Sequence, residues 1–227
     1  MFSLKLIRNI CKQRNNMDDK IRTFIENLLP AENEIEQELR NYAKEYHVPI
    51  LRRDAAAFLR TIVSIKKPMR ILEIGTAIGY SALIMSHAAP LSHIDTVEID
   101  MDSVVLARQN IKKAGKENQI RVIAGDGNEV LAALTKPYDM IFMDAAKGQY
   151  VYLYDDVLRL LKEGGLLLCD NCIFYGKVLD KPEETNHKHR TIVTNMRAFL
   201  ERMMADRRLE ASLLDVGDGM AVACKKF

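Results

Sequence analysis

A strand, a glycine turn and a helix start follow one another in Arg70–Ser81, and this stretch constrains the fold of the chain more than any other. Residues 71–74 are apolar except for one acid, which is typical of a strand buried on both faces of a parallel sheet. Gly75 and Gly79 bracket a tight turn, and a helical pattern begins at Tyr80. This arrangement forms a nucleotide-sized binding site at the carboxyl end of a sheet.

The loop residues favour a cofactor without phosphate groups. The dinucleotide fingerprint G-x-G-x-x-G uses its second glycine to let the backbone approach a pyrophosphate. Ala77 stands at that position, and Tyr80, followed by Ser81, stands where the third glycine would be. The acid Glu73 suits an ammonium group, so we expect S-adenosylmethionine, which has an ammonium and a sulfonium, bound by Glu73, Gly75, Tyr80 and Ser81. A glycine turn that serves packing alone stays an equal alternative.

Apolar strands alternate with amphipathic helices after this turn. Strands are predicted at Arg70–Ile74, Ile94–Ile99, Ile120–Ala124, Tyr138–Met143 and Leu166–Asp170. Helices are predicted at Tyr80–Ala88, Met101–Ala114, Asn128–Leu134 and Gln149–Leu161. The alternation implies a parallel, doubly wound α/β sheet. The last two strands, Leu209–Val216 and Met220–Lys226, are so close in sequence that they must form an antiparallel hairpin. A Rossmann-like, mostly parallel seven-stranded sheet with one antiparallel C-terminal strand resembles the class I methyltransferase architecture.

Three amphipathic helices are predicted before the first strand, within residues 17–66. We expect them to lie across the top or edge of the sheet as a cap, with residues 67–227 as the core of the same single domain. Residues 1–16 carry four basic residues and no acid, and the formal net charge is +2, so the rest of the chain carries −2. We expect residues 1–16 to be a basic extension outside the fold.

The cysteines indicate a reduced, cytoplasmic protein. Cys169 and Cys172 have the spacing of a redox or zinc pair, but the sequence has no second pair that would complete a zinc site. A redox pair would expose its first thiol at a helix N-terminus, whereas Cys169 ends an apolar run. We expect Cys169 and Cys224 to be buried free thiols. No apolar run approaches the roughly 20 residues of a membrane span, so no membrane partner is predicted.

Polar residues at two further strand ends are candidates for cofactor binding, because ligands of open α/β sheets sit outside the carboxyl ends of the strands. Glu98 lies 19 residues after Gly79, close to where an acid reaches ribose hydroxyls. A solvated acid is the alternative there. Asp126 can accept a hydrogen bond from an adenine amino group, with Gly125 leaving room for the base, or it can cap the helix that follows.

Three oxygen donors follow the fourth and fifth strands. Asp144 comes after the fourth strand, while Asp170 and Asn171 end the fifth, so we expect the three side chains to cluster at neighbouring strand ends. Hard oxygen ligands without a histidine favour Mg²⁺, Mn²⁺ or Ca²⁺ over zinc. Aspartates that only terminate strands are the alternative.

A lysine near these donors is a candidate catalytic base. Lys147 lies three residues after Asp144, and a lone lysine in a loop is usually a solvated charge. Beside a divalent cation, however, the neutral form of a lysine is favoured, and the hydroxyl of a bound substrate is acidified. Lys147 would then accept the hydroxyl proton, while the site aligns the oxygen with the methyl group of the cofactor.

Three of these motifs together resemble those of cation-dependent O-methyltransferases of the catechol and caffeoyl-CoA type. They are Glu73–Ser81, Asp144–Lys147 and Asp170–Asn171, and the resemblance covers the chain from Pro49 to its last residue. The combination is far more specific than any single motif.

The resemblance implies a role for each residue. Asp144, Asp170 and Asn171 would be magnesium ligands, with Asp144 also near the cofactor and the reacting groups. Lys147 would be the base, and Glu98 would bind the ribose.

A narrower resemblance concerns His47–Ile50, Ala146–Tyr150 and Val216–Gly219. These segments are similar to the bacterial branch of the family that methylates 5-hydroxyuridine in tRNA. That branch implies the wobble position of the tRNA anticodon loop as the substrate, a homodimer as the assembly, and a cofactor pocket that is also lined near Leu51.

The chemistry of the site alone does not identify the acceptor substrate. A catechol and 5-hydroxyuridine both present two adjacent oxygens that can chelate one metal ion. Phe174–Lys177 follows the predicted metal ligands, and its aromatic and basic residues suit an unstacked RNA base, although an ordinary solvated loop is an equal alternative. Small phenols are the alternative substrate, and a nucleotide-binding module without metal chemistry is the remote alternative.

Overall fold

The computed structural model describes residues 20–180 and 185–227, and the chain divides into two units after Glu32. In the first unit, helix α1 covers residues 20–28, and its apolar side chains Ile21, Phe24 and Leu28 are largely exposed. The predicted extension 1–16 lies outside the described residues. No helix among the described residues has both the length and the apolar character that crossing a membrane requires.

The second unit alternates strands and helices. Its strands are β1 (Arg70–Ile74), β2 (His93–Glu98), β3 (Ile120–Ala124), β4 (Tyr138–Met143), β5 (Leu161–Cys169), β6 (Leu209–Leu214) and β7 (Met220–Lys225). Its α-helices are α2 (Glu34–Tyr46), α3 (Arg53–Lys66), α4 (Tyr80–Ala88), α5 (Met101–Lys113), α6 (Gly127–Ala133), α7 (Tyr150–Leu160) and α8 (His187–Ala205). A short 3₁₀ helix, Lys177–Leu179, lies between β5 and α8.

The described strands form one seven-stranded sheet in the order β3-β2-β1-β4-β5-β7-β6. Strands β1 to β5 pair in parallel, whereas β7 pairs antiparallel with both β5 and β6. This confirms the predicted Rossmann-like sheet. The chain begins the sheet at β1, extends outward to β3 and then returns to β4, on the other side of β1. Ligands of such sheets bind at the carboxyl edge where the direction reverses, here between β1 and β4.

Helices cover both faces of the sheet. Helices α3, α4 and α5 contribute to one hydrophobic core, and α6, α7 and α8 contribute to the other. Leu59 and Val63 of α3 belong to the same core as Met140 of β4. We predicted that α2 and α3 would lie across the top or edge of the sheet. Helix α3 packs against α4 within that core, and its role as part of a cap stays a prediction.

Strand β5 begins earlier than the sequence pattern predicts. The prediction started at Leu166, whereas the strand begins at Leu161. The pairing of β4 with β5 shifts register across this stretch, and Gly164 has a φ of +66°. A bulge therefore accommodates the two glycines inside the strand.

The cysteine predictions are half right. Cys169 is a buried free thiol as predicted, and Cys172 is buried as well. Cys224 is exposed, contrary to the prediction. It lies beyond Ala223, the last fully buried residue of β7, where the core no longer covers the strand.

Candidate active site

A cavity of about 570 Å³ opens at the carboxyl edge of the parallel strands, where β1 and β4 lie side by side. The turn after β1, the ends of β2, β3 and β4, and the segment between α2 and α3 line it. The predicted site residues that line it are Leu51, Gly75, Tyr80, Ser81, Glu98, Gly125, Asp126, Asp144, Lys147 and Asn171. Glu73 and Asp170 are buried and lie outside the lining.

The turn after β1 lies directly against the end of β4. Gly75 has a φ of +104°, and a Cβ atom at this position would lie 2.2 Å from the carbonyl oxygen of Asp144. Only glycine fits both constraints. Ala77 also has a positive φ, 45°, and its N–H donates to Oε2 of Glu98 at 2.8 Å. The glycine thus brings the cofactor turn and the candidate metal site to one wall.

Glu98 is held rigidly at the end of β2. Besides the bond from Ala77, its Oε1 accepts hydrogen bonds from the backbone N–H groups of Ile99 and Asp100, both at 2.9 Å. A carboxylate has about four lone-pair sites, so one remains for a ligand hydroxyl. The geometry therefore supports the ribose role predicted for Glu98.

Glu73 supports the turn from inside the sheet. Its Oε2 accepts a hydrogen bond from the hydroxyl of Thr96 at 2.5 Å, and Thr96 lies 2.6 Å from the hydroxyl of Thr76 in the turn. Burial raises the pKa of Glu73 to about 7, although the hydroxyls of Ser81 and Thr96 lower it. We predicted that Glu73 contacts the cofactor. The side chain is buried outside the cavity lining and its Oε1 has no hydrogen-bond partner, so the cofactor contact stays a prediction.

Asp126 serves as a helix cap at the end of β3. Its side chain accepts from the backbone N–H of Asn128 at 2.8 Å at the start of α6. It also lines the cavity, together with Gly125, which has a φ of +156°. The cap predicted as one alternative is confirmed, and the adenine contact stays a prediction.

The ends of β4 and β5 place two carboxylates side by side. The N–H of Asp170 donates to the carbonyl of Met143 at 2.9 Å, so Asp144 and Asp170 follow paired strand ends. Burial raises the pKa of Asp170 to about 6. Burial, and then the charge of Asp170, raises the pKa of Asp144 well above its ordinary value. Ionisation of each carboxyl group therefore costs free energy when no cation is bound.

The residues at these strand ends fit a divalent cation. In the described part of the chain, Oδ1 of Asp170 is one of four buried side-chain atoms that have no hydrogen-bond partner. Asn171, at a φ of +59°, lines the cavity next to it. No three His, Cys, Asp or Glu side chains in the described part of the chain come together as a metal site, and this set has two carboxylates and an amide. Such hard oxygen donors suit Mg²⁺, Mn²⁺ or Ca²⁺.

Lys147 is close to both carboxylates. It lines the cavity, and its charge lowers the pKa of Asp144 and of Asp170. Its Nζ atom lies 5.7 Å from the ring centroid of Phe174, and Nζ of Lys177 lies 4.7 Å from the same centroid. Phe174, in the loop after β5, thus has both lysines near its ring.

The loop after β5 has a conformation that the sequence did not indicate. Phe174 and Tyr175 have φ angles of 51° and 53°, in the left-handed region that costs energy for bulky residues. Asp218, in the turn between β6 and β7, accepts from the N–H of Tyr175 at 2.7 Å through Oδ1 and from the N–H of Ile173 at 2.9 Å through its carbonyl. Asp218 was not predicted to support this loop, and its position between two glycines was the available signal.

Arg40 of α2 is a second residue that the sequence analysis missed. Its guanidinium donates to the hydroxyl of Tyr80 and, at 3.2 Å, to the carbonyl of Leu51. Both acceptors belong to residues of the cavity wall. An arginine on an amphipathic helix resembles a solvated charge, so no sequence signal marked it.

The Cys169–Cys172 pair has the surroundings of structural thiols. Both side chains are buried, and Sγ of Cys172 lies 3.3 Å from the carbonyl oxygen of Cys169. Burial raises the pKa of the Cys172 thiol to about 12. A reactive thiol would need the opposite shift.

Known proteins are similar to this chain in both sequence and fold. A sequence model of the O-methyltransferase family matches residues 27–226. A catechol O-methyltransferase of Niastella koreensis is 31% identical over 224 residues, which are 93% of this chain and 99% of the relative. A caffeoyl-CoA O-methyltransferase of Populus kitakamiensis is 30% identical over 212 residues, which are 87% and 88% of the two chains. The SAH-bound structure of the methyltransferase PaMTH1 from Podospora anserina has a TM-score of 0.84 at 26% identity, covering 93% of this chain and 96% of that one.

Proposed function

The chain belongs to the O-methyltransferase family and is a class I, S-adenosylmethionine-dependent enzyme, and on that premise we propose that it methylates one hydroxyl of a small phenol carrying a second oxygen on the adjacent carbon. One observation carries the proposal. Asp144, Asp170, Asn171 and Lys147 come together at one end of a cavity large enough for the cofactor.

The cavity walls account for cofactor binding. The turn around Gly75 would admit the amino-acid part of the cofactor, Glu98 would accept a ribose hydroxyl, and Asp126 would border the base. Tyr80 and Leu51 close the apolar side, and Arg40 holds both of them. A methyl donor without phosphates suits a turn that has a side chain, Ala77, where a pyrophosphate would need glycine.

Asp144, Asp170 and Asn171 would hold the divalent cation, most simply Mg²⁺. When bound, the cation would supply a positive charge that attracts the acceptor oxygens and favours ionisation of the reacting hydroxyl. Lys147 accepts the hydroxyl proton at Nζ. As the acceptor oxygen bonds to the methyl carbon, the carbon–sulfur bond breaks and S-adenosylhomocysteine (SAH) leaves. The protein contributes chiefly by aligning the oxygen, carbon and sulfur.

Relatives support a phenol as the acceptor. The two curated relatives described above are named for catechol and for caffeoyl-CoA, and both names denote acceptors with two adjacent aromatic oxygens. The predicted cation site would recognise this pair of oxygens in the acceptor and would not distinguish acceptors by the rest of their structure. A small catechol-like or caffeoyl-CoA-like phenol therefore ranks first.

The 5-hydroxyuridine of the tRNA anticodon loop is the second candidate. Tyr175 is 77% exposed beside Phe174, whose ring lies close to Lys147 and Lys177. An exposed aromatic side chain next to basic groups suits an unstacked base and its phosphates. The 5-hydroxyl and 4-oxo groups of this base offer the same adjacent oxygens as a catechol.

A direct comparison of acceptors tests the choice. The purified protein is incubated with S-adenosylmethionine, Mg²⁺ and either caffeoyl-CoA, catechol or bulk tRNA from a strain that lacks the protein, and the products are identified by mass spectrometry. We expect a methyl ether of at least one phenol, with tRNA unchanged. Methoxyuridine in the tRNA without any methylated phenol would overturn the phenol assignment and favour the second candidate. Preferred binding of NADH over SAH in a calorimetric titration would exclude both.

A further inference from the structure

The hydroxyl of Tyr150 lies between the ends of β4 and β5. Tyr150 is the first residue of α7 and is fully buried. Its hydroxyl lies 3.0 Å from the carbonyl oxygen of Met143 and 3.0 Å from that of Asp170. A phenol has one proton to donate, so the two carbonyls share it in a three-centre hydrogen bond.

The two carbonyls belong to the backbone that carries the candidate cation ligands. Met143 directly precedes Asp144, and the second carbonyl is that of Asp170 itself. The sheet pairing of β4 with β5 ends here, with the bond from the Asp170 N–H to Met143. Beyond this bond the two carboxylates are neighbours, and the charge of Asp170 adds to the burial that raises the pKa of Asp144.

We infer that Tyr150 is a positioning residue for the cation site: its buried hydroxyl joins the backbone of β4 to that of β5 and so fixes the separation of Asp144 and Asp170. This inference rests on the proposed function, because it concerns the site assigned there to a divalent cation. Tyr150 does not line the cavity, so it acts on that site only through the backbone.

Tyr150→Phe removes the hydroxyl and keeps the ring. The ring packs edge-to-face on Phe199 with centroids 5.4 Å apart, and this contact survives the substitution. Residues that orient metal ligands typically contribute 10- to 100-fold to metal affinity. We therefore expect the affinity of Tyr150→Phe for Mn²⁺ to fall by about tenfold or more. SAH affinity should stay within about twofold, since the cavity lining is unchanged.

Helix α7 supplies a matched control one turn later. Tyr154 is also fully buried and packs edge-to-face on the same Phe199, with centroids 5.9 Å apart. Its hydroxyl donates to Oδ2 of Asp206 at 2.9 Å, away from the cation site. Tyr154→Phe removes the same atom from the same helix and also loses a hydrogen bond. It should lower stability and leave Mn²⁺ affinity unchanged.

Calorimetric titration of Mn²⁺, and separately of SAH, into the wild type and both variants tests the inference without an activity assay. A loss of Mn²⁺ affinity in Tyr150→Phe alone supports it. Equal Mn²⁺ affinity in the wild type and Tyr150→Phe, or an equal loss in Tyr154→Phe, overturns it. A wild type that binds SAH but no Mn²⁺ instead contradicts the cation site of the proposed function.

A second variant keeps the inference testable if Tyr150→Phe does not fold. Phe199→Leu removes the ring contact of both tyrosines and retains both hydroxyls. We expect it to bind Mn²⁺ as the wild type does. A loss of Mn²⁺ affinity in Phe199→Leu would show that packing, and not the hydroxyl of Tyr150, sets the site, and would overturn the inference.

Discussion

Three carboxylates at the proposed site have a raised pKa, and burial is the first cause for each of them: Glu73, Asp144 and Asp170. A fold retains such groups when a ligand or a mechanism makes use of them. For Asp144 and Asp170 the proposed use is binding of a divalent cation. For Glu73 it is the hydroxyl network beneath the cofactor turn, where Thr96 links it to Thr76.

Glu73→Gln should stabilise the protein in a pH-dependent way. The folded-state pKa of Glu73, about 7, lies above the ordinary value of 4.5. The protonated carboxyl therefore contributes stability that is present below the ordinary value and is lost as the pH rises through about 7. We expect urea unfolding to show a larger gain for Glu73→Gln at pH 8 than at pH 5, with a difference of up to about 3 kcal/mol. A gain that is equal at both pH values would contradict the assignment.

Gly75→Ala should damage both the fold and cofactor binding, because the new Cβ would lie 2.2 Å from the backbone oxygen of Asp144. Gly115→Ala is a matched control, since Gly115 also has a positive φ, +64°, but no atom within 4 Å of its Cβ position. We expect Gly115→Ala to cost about 1 kcal/mol and Gly75→Ala to cost more than about 2 kcal/mol. Only Gly75→Ala should lose SAH affinity. Equal effects in denaturant titrations of the two variants would refute the role of the close approach.

At the scale of elements, we propose that two loops form the acceptor side of the site. The loop after β5 takes its left-handed turn at Phe174 and Tyr175 only because the β6–β7 turn provides Asp218 as a hydrogen-bond acceptor. The cofactor side, in contrast, lies on the ends of β1, β2 and β3. Cofactor binding and acceptor binding should therefore respond to different substitutions.

Asp218→Ala should impair acceptor binding and spare the cofactor. It removes the 2.7 Å hydrogen bond from the N–H of Tyr175, and a bond to a charged group contributes about 1.5–3 kcal/mol. We expect kcat/KM for the phenol to fall by about tenfold or more, with SAH affinity retained. Asp215→Ala, an exposed aspartate before the same turn, is the control. A similar loss in both variants, or a loss of SAH affinity, would contradict this division.

Apolar periodicity was enough to predict most elements and their order. The bounds of β1, β3, β4 and α4 match the prediction residue for residue. The start of β5 could not be predicted, because a strand that continues through Gly164 and Gly165 depends on a bulge against β4. The left-handed turn at Phe174 could not be predicted either, because the hydrogen-bond acceptor that supports it, Asp218, lies far away in the sequence.

At the scale of the whole molecule, the topology explains why the site could be predicted at all. Residues at the ends of parallel strands share one edge of the sheet, so strand ends read from the sequence place Glu98, Asp126 and Asp144 together. Residues that act from beside the sheet, such as Arg40 and Tyr150, carry no such signal. The homodimer and the tRNA substrate that the narrower resemblance implies stay predictions.

The central claim is that Asp144, Asp170 and Asn171 hold a divalent cation that methyl transfer requires. The most direct measurement compares wild type and Asp170→Ala for methylation of a catechol, with Mg²⁺ and with excess EDTA, beside a calorimetric titration of SAH. We expect SAH to bind Asp170→Ala as it binds the wild type. The variant and the EDTA-treated wild type should both lose at least about 100-fold in turnover, and added Mg²⁺ should restore only the wild type. Full activity of Asp170→Ala, or of the wild type in EDTA, would contradict it.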